Sequence, residues 1–313
     1  MKRKKLVRTL GNVLMVIAIV FIGYKLYQYR DKVSDAFTWK IGVVMLVSSL
    51  ITTSLIIISS VFYANLVARV SDKEVPLGMA SQMYCKSNLY KYIPGNVLQY
   101  VGRNQIAELS NARHDRVIFA SFLEVGFTVI GALTASIILA RQYVFEWIRN
   151  QNTGLIVAVI AAVTVIVIFI SILLAKKVPK LFKELRRILN HRNIGYFVAM
   201  IVFIVFNQML NGIMFTYLMK EIVGTLPKEY WSNVAGVYSF AWLVGFVTPG
   251  APGGMGIREA LLSVLLANTV APEMVTIAVI FNRIVTVLGD LIAYPASILL
   301  SVFSSKKKRD LIE

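Results

Sequence analysis

From Phe246 to Ala260 the sequence runs Phe-Val-Thr-Pro-Gly-Ala-Pro-Gly-Gly-Met-Gly-Ile-Arg-Glu-Ala, placing two prolines, four glycines and an Arg-Glu pair in strongly apolar surroundings. Non-helical backbone at membrane depth persists only where protein buries it or it lines a watery cavity. Charges in such a segment mark a pathway or a binding site. The chemistry these residues suit is anion binding. A helix over 253–267, with Pro252 at its first turn, would aim unpaired N–H groups at a phosphate. Gly253, Gly254 and Gly256 would let the backbone approach closely. Arg258 would join that site, or pair with Glu259 or Glu124.

A second stretch repeats the scheme less tightly, with Pro94, Gly95, Asn96, Gln99 and Arg103. Glu124 and Arg283 stand inside apolar runs and complete a polar interior. The candidate binding residues are therefore Pro94, Gly95, Asn96, Arg103, Glu124, Pro249, Pro252, Gly253, Gly254, Gly256, Arg258, Glu259 and Arg283. The plainer alternative makes the Pro-Gly breaks packing kinks, and Arg258–Glu259 or Glu124–Arg283 pairs that hold helices together. No catalytic residue, metal ligand or cofactor is expected. The single cysteine, Cys85, rules out an intrachain disulfide and a multi-cysteine metal site. His114 and His191 fall in charged stretches without ligand spacing. Tyr90, Tyr92, Trp231 and Trp242 read as interfacial aromatics.

The elements that must carry these residues are membrane helices. The 313 residues are 57% hydrophobic with a mean hydropathy of +0.69, and several runs reach the roughly 20 residues a bilayer requires. Spans are expected at about Leu10–Tyr27, Ile41–Leu66, Val117–Ala140, Gly154–Ala175, Tyr196–Met219 and Met274–Phe303. The first follows a basic start and lacks a small-residue cleavage site, so it reads as uncleaved. The segments Met79–Glu108 and Trp231–Ala267 are too broken or polar for plain spans and are expected as re-entrant hairpins. With the N-terminus inside, 23 of the 33 lysines and arginines fall on the cytoplasmic side and 8 outside, as the positive-inside rule asks. Both termini are then cytoplasmic and the protein is a multi-pass component of the cell membrane. Eight full spans is the rival count. The net charge of +17 lies in short loops, which argues for topology and for contact with anionic lipid surfaces, including at Lys176–Arg192, and against nucleic acid.

The two broken segments also resemble each other. Pro94-Gly95 precedes Arg103 as Pro249-Gly250 precedes Arg258, both at an offset of 155; Thr128, Val129 and Gly131 match Thr286, Val287 and Gly289 at 158. The fold expected is thus an all-α polytopic membrane protein of six spans and two hairpins. It forms a single membrane domain, 1–313, with repeat one over about 41–140 and repeat two over about 196–303. Three spans separate the repeat starts, so the repeats are inverted, an architecture of transporters.

The run Pro249 to Glu259, with Lys91-Tyr92-Ile93-Pro94-Gly95-Asn96-Val97 upstream and Asn282-Arg283 downstream, resembles the flippase-like transmembrane domain of lysylphosphatidylglycerol synthases and its stand-alone relatives. The resemblance covers nearly the whole chain. It implies translocation of an aminoacylated phospholipid or a polyprenyl-phosphate-linked glycolipid between leaflets. Its pattern falls here on Pro94, Gly95, Arg103, Glu124, Pro249, Pro252, Gly253, Gly254, Gly256, Arg258, Glu259 and Arg283. Val125 departs from it, since many relatives carry an arginine there. The soluble aminoacyl-transfer domain is not expected, because ten residues follow the last span. A lysyltransferase activity carried by the family name would then lack its catalytic part. The function expected is a flippase for an anionic or phosphate-linked lipid, with a glycosyltransferase or synthase as a partner to consider. Its arginines would hold the phosphate, with Glu124 and Glu259 positioning them or meeting a cationic head group. The alternatives are an integral-membrane lipid-modifying transferase and a membrane anchor for a soluble synthase.

Overall fold

Apolar runs with intermittent Ser, Thr and Gly dictate long helices that touch closely, and the residues the computed structural model describes are almost all helical. It describes residues 36–71, 75–93, 98–110, 112–141, 187–188, 191–248, 254 and 256–310, besides Val20, Tyr24 and Tyr27. The order is α1 (Trp39–Val70), α2 (Leu77–Asn88) running into a 3-10 turn (Leu89–Tyr92), α3 (Leu98–Arg103), α4 (Gln105–Ser110) and α5 (His114–Leu139). Then follow α6 (His191–Val223), a 3-10 turn (Lys228–Tyr230), α7 (Trp231–Val247), α8 (Ile257–Leu265) and α9 (Pro272–Asp310). No strand occurs among the described residues. Four segments are long and apolar enough to cross a membrane: Trp39–Val70, His114–Leu139, Asn193–Val223 and Pro272–Leu299. They coincide with four of the six expected spans. Gly154–Ala175, and all but three residues of Leu10–Tyr27, lie outside the described residues.

Small residues set the closest helix contacts. On α1, Ser49 and Thr53 donate to their own helix and across to the Val285 and Gly289 carbonyls of α9, at 3.4 and 3.2 Å. Both partner numbers rise together, so α1 and α9 run parallel. Phe127 and Gly131 of α5 meet Phe197 and Ile204 of α6 in the same rising order, so these two are also parallel. The start of α1 (Ile41, Met45) packs with Leu218 near the end of α6. The end of α1 packs with the starts of α5 and α6. The two pairs therefore run in opposite directions.

Among the described residues, each half has a similar order: a long helix, a shorter helix, one (second half) or two (first half) short helices, and a second long helix. The last helix of each half packs on the first helix of the other through a glycine. A Cβ on Gly131 would meet Ile204 at 2.5 Å, and one on Gly289 would meet Thr52 at 2.7 Å. The short helices follow suit. Gly78 of α2 lies against Ser301 of α9, while Lys91 and Tyr92, after α2, reach Asp290; α2 thus climbs antiparallel to α9. Ser232 of α7 donates to the Leu139 carbonyl and Ser136 to that of Gly236, at 2.5 and 3.0 Å, so α7 runs antiparallel to α5. α8 then doubles back along α7, with Gly254 and Arg258 against Gly245, and Leu262 and Leu266 pack on Val275, Ala278 and Val279 of α9.

Three expectations change. The helix expected over 253–267 spans Ile257–Leu265 instead. Gly254 and Gly256 take φ of +74° and +84°, left-handed values that a helix cannot continue through. Tyr90 is fully buried, and Tyr92 donates to Asp290 at 2.6 Å, so neither is an interfacial aromatic. Trp242 lines an internal cavity with Tyr92.

Candidate functional site

Between the helices of the two halves lies a cavity of about 230 Å³. All four long helices contribute to its wall, as do α2, the turn after it, α3, α7 and α8. Of the predicted residues, Arg103, Glu124, Arg258 and Arg283 line it together. Glu259 reaches it through Arg283. Gly254 packs beneath Arg258, and Gly256 caps α8. Pro94, Gly95, Asn96, Pro249, Pro252 and Gly253 lie outside the described residues.

The charges are organised as one ion pair per half plus a third at a hairpin. In the first half, Arg103 of α3 is ion-paired with Glu124 of α5. Its second Nη donates to the Asn88 carboxamide at 3.3 Å. Its guanidinium lies 4.2–5.1 Å from the ring centres of Tyr63, Tyr84 and Tyr100, close enough for cation–π attraction. Tyr84 donates to the other Glu124 oxygen at 2.8 Å. In the second half the polarity is exchanged. Glu259 on α8 accepts from Nε of Arg283 on α9 at 2.8 Å, with Nη at 2.6 Å. The other Glu259 oxygen accepts the Gly256 N–H at 2.6 Å. A carboxylate of the chain thus already occupies the start of α8 where the sequence suggested a phosphate, which favours an acidic group there. The pairs contemplated from sequence, Arg258–Glu259 and Glu124–Arg283, give way to Arg103–Glu124 and Glu259–Arg283.

Arg258 is the exception. It occupies the first turn of α8 rather than a position two turns in. Among the described residues it makes no ion pair or hydrogen bond, and its buried Nε lacks a partner. Its guanidinium lies 5.3 Å from the Trp242 ring centre, and its stem passes between Gly245 and Gly254, where any Cβ would collide with it. A buried cation is costly unless something compensates it. This one faces a cavity.

Several residues of the wall were not assigned to the site from sequence. Lys91, half-exposed to the cavity, is paired with the fully buried Asp290 at 2.5 Å. Asp290 was visible as a charge in the last span, and its signal was the same one that exposed Glu124. Asn207, Gln208 and Asn282 line the cavity as well. Their signal was carboxamides in otherwise apolar helices, which leaves their direction undetermined. His114, which the sequence places in a charged stretch, begins α5 with Nε2 3.1 Å from a Glu108 carboxylate oxygen.

No known family's sequence profile matches this chain, and no curated protein is similar to it.

Proposed function

We propose that the chain moves a phosphate-bearing lipid between membrane leaflets, taking the head group into the cavity while the acyl or prenyl tails stay in the bilayer. One observation carries the reading: among the described residues, Arg258 is a cation without an ion-pair partner in a cavity built by both halves. Lys91, Arg103 and Arg283 are each matched to a carboxylate, so Arg258 is the positive charge in excess. An anion entering from the lipid would supply its missing partner, and charge-assisted hydrogen bonds to a guanidinium suit phosphate. The volume, below the roughly 300–1,000 Å³ typical of sites for drug-sized ligands, suits a head group without its tails.

The finer topology belongs to the same proposal. The expected six spans place both termini in the cytoplasm of a cell-membrane protein. α2–α4 form a hairpin entering from the cytoplasm, α7–α8 one entering from outside, and the halves form an inverted repeat. Support comes from the opposed directions of the parallel pairs and from the exchange of packing partners between halves. In such a design the two hairpins close the site alternately toward either leaflet. The resemblance to the flippase-like domain of lysylphosphatidylglycerol synthases agrees with this reading.

The test is leaflet exchange of fluorescent phosphatidylglycerol in liposomes holding the purified protein. Arg258→Ala is expected to slow exchange about tenfold to a hundredfold, the value of one or two hydrogen bonds to a charged group. Arg258→Lys should recover part of it, keeping the charge and losing the planar contact with Trp242. Equal exchange by wild type and Arg258→Ala would overturn the mechanism.

A further inference from the structure

The cavity also carries information about what is attached to the phosphate. Among the described residues, Glu124 is the carboxylate that lines it, and it is engaged by Arg103 and Tyr84. Behind the wall, Glu259 is held by Arg283 and the Gly256 N–H, and Asp290 meets Lys91 and Tyr92 through one oxygen while its other oxygen is buried without a partner. No carboxylate among the described lining residues is left unpaired to receive an ammonium group, and the excess charge at Arg258 would repel one. What remains uncommitted is neutral. Gln208 is 94% buried, with 6% relative exposure, faces the cavity, and its carboxamide makes no hydrogen bond among the described residues. Asn207 spends its oxygen on Asn211 at 2.7 Å and keeps its N–H groups. Asn282 spends an N–H on Tyr238 at 3.0 Å and keeps its oxygen. Free amide donors and acceptors in the same wall as Trp242 match a group rich in hydroxyls, each of which can both donate and accept.

From this we infer that the site selects a phosphate lipid whose head group is a neutral polyol or sugar, and discriminates against an aminoacylated, cationic one. The inference rests on the reading of the cavity as a head-group site. It identifies Gln208 as a specificity-determining residue and Arg258 as the phosphate anchor. A buried amide left without its hydroxyl is what penalises the wrong head group.

The experiment uses three lipids with identical tails: phosphatidic acid, phosphatidylglycerol and lysyl-phosphatidylglycerol. Each is measured twice, as leaflet exchange in liposomes and as lipid-induced thermal stabilisation of the purified protein in detergent. Phosphatidylglycerol should be exchanged and bound at least tenfold better than the lysyl form. Gln208→Leu, similar in size, should weaken phosphatidylglycerol roughly five- to tenfold, one hydrogen bond's worth, and leave phosphatidic acid unchanged. Equal handling of the lysyl form, or an unchanged preference between phosphatidylglycerol and phosphatidic acid in Gln208→Leu, would overturn the inference. Binding that keeps these preferences without any exchange would overturn translocation and uphold the head-group assignment. Absence of any preference in binding would overturn it.

Discussion

At the scale of residues, the charged groups separate by how completely water has been removed from them. Arg103 is almost wholly buried and ion-paired to a Glu124 carboxylate with little exposure, whereas Arg113 and Asp115 pair at 2.7 Å with side chains more than half exposed. Removing one partner of a buried pair leaves an uncompensated charge and costs about 3–5 kcal/mol; an exposed pair contributes about 0–1 kcal/mol. Glu124→Gln is therefore expected to lower the thermal unfolding midpoint in detergent sharply, and Asp115→Asn to leave it nearly unchanged. Similar shifts would show that the tyrosines around Arg103 suffice without the carboxylate. The charges themselves were legible, because Glu124, Arg258, Glu259 and Arg283 interrupt apolar sequence. Their pairing was not. Glu259 has Arg258 as its sequence neighbour and Arg283 as its partner, since successive residues of a helix point about 100° apart. The roles of Lys91 and Asp290 were hidden for the same reason: 199 positions separate them.

The elements show where local rules compete. The positions of the four long helices followed from apolar runs of sufficient length, and the place of the second break from its prolines and glycines. The start of α8 did not follow, because Pro252 is well suited to a first helical turn while Gly254 and Gly256 also permit left-handed backbone. The fold takes the glycine option and brings Gly254 against Gly245. Gly254→Ala combines a φ of +74° with a Cβ 2.7 Å from Nε of Arg258, so the left-handed conformation alone should cost about 1–2 kcal/mol. Because the displaced group is Arg258, leaflet exchange should fall along with the unfolding midpoint. Gly126, on α5, has nothing within 4 Å of its Cβ position, and Gly126→Ala should stabilise by up to about 1 kcal/mol through helix propensity. If the two substitutions behaved alike, the tight turn before α8 would have no part in holding Arg258.

For the whole molecule, the packing of the halves bears on how the chain lies in the membrane. α1 and α9 run one way and α5 and α6 the other. Tyr63, seven residues before the end of α1, bonds Ser121, seven residues after the start of α5, at 2.8 Å. The two ends of the α2–α4 segment consequently lie at the same level, which supports the proposed re-entrant hairpin. The packing of α7 beside α5, and of α8 back along α7, places the ends of the second segment together at the opposite level. Cysteine labelling from one side of sealed vesicles separates this arrangement from eight full spans. The native Cys85 is fully buried and can stay in place. Pro76→Cys and Arg113→Cys, at exposed positions flanking the first segment, should both react with a membrane-impermeant maleimide from the cytoplasmic side. Lys228→Cys and Ala271→Cys, exposed and flanking the second, should both react from outside. If Pro76→Cys and Arg113→Cys labelled from opposite sides, the first segment would cross the bilayer, the halves would not be inverted, and alternating access between two hairpins would lose its basis.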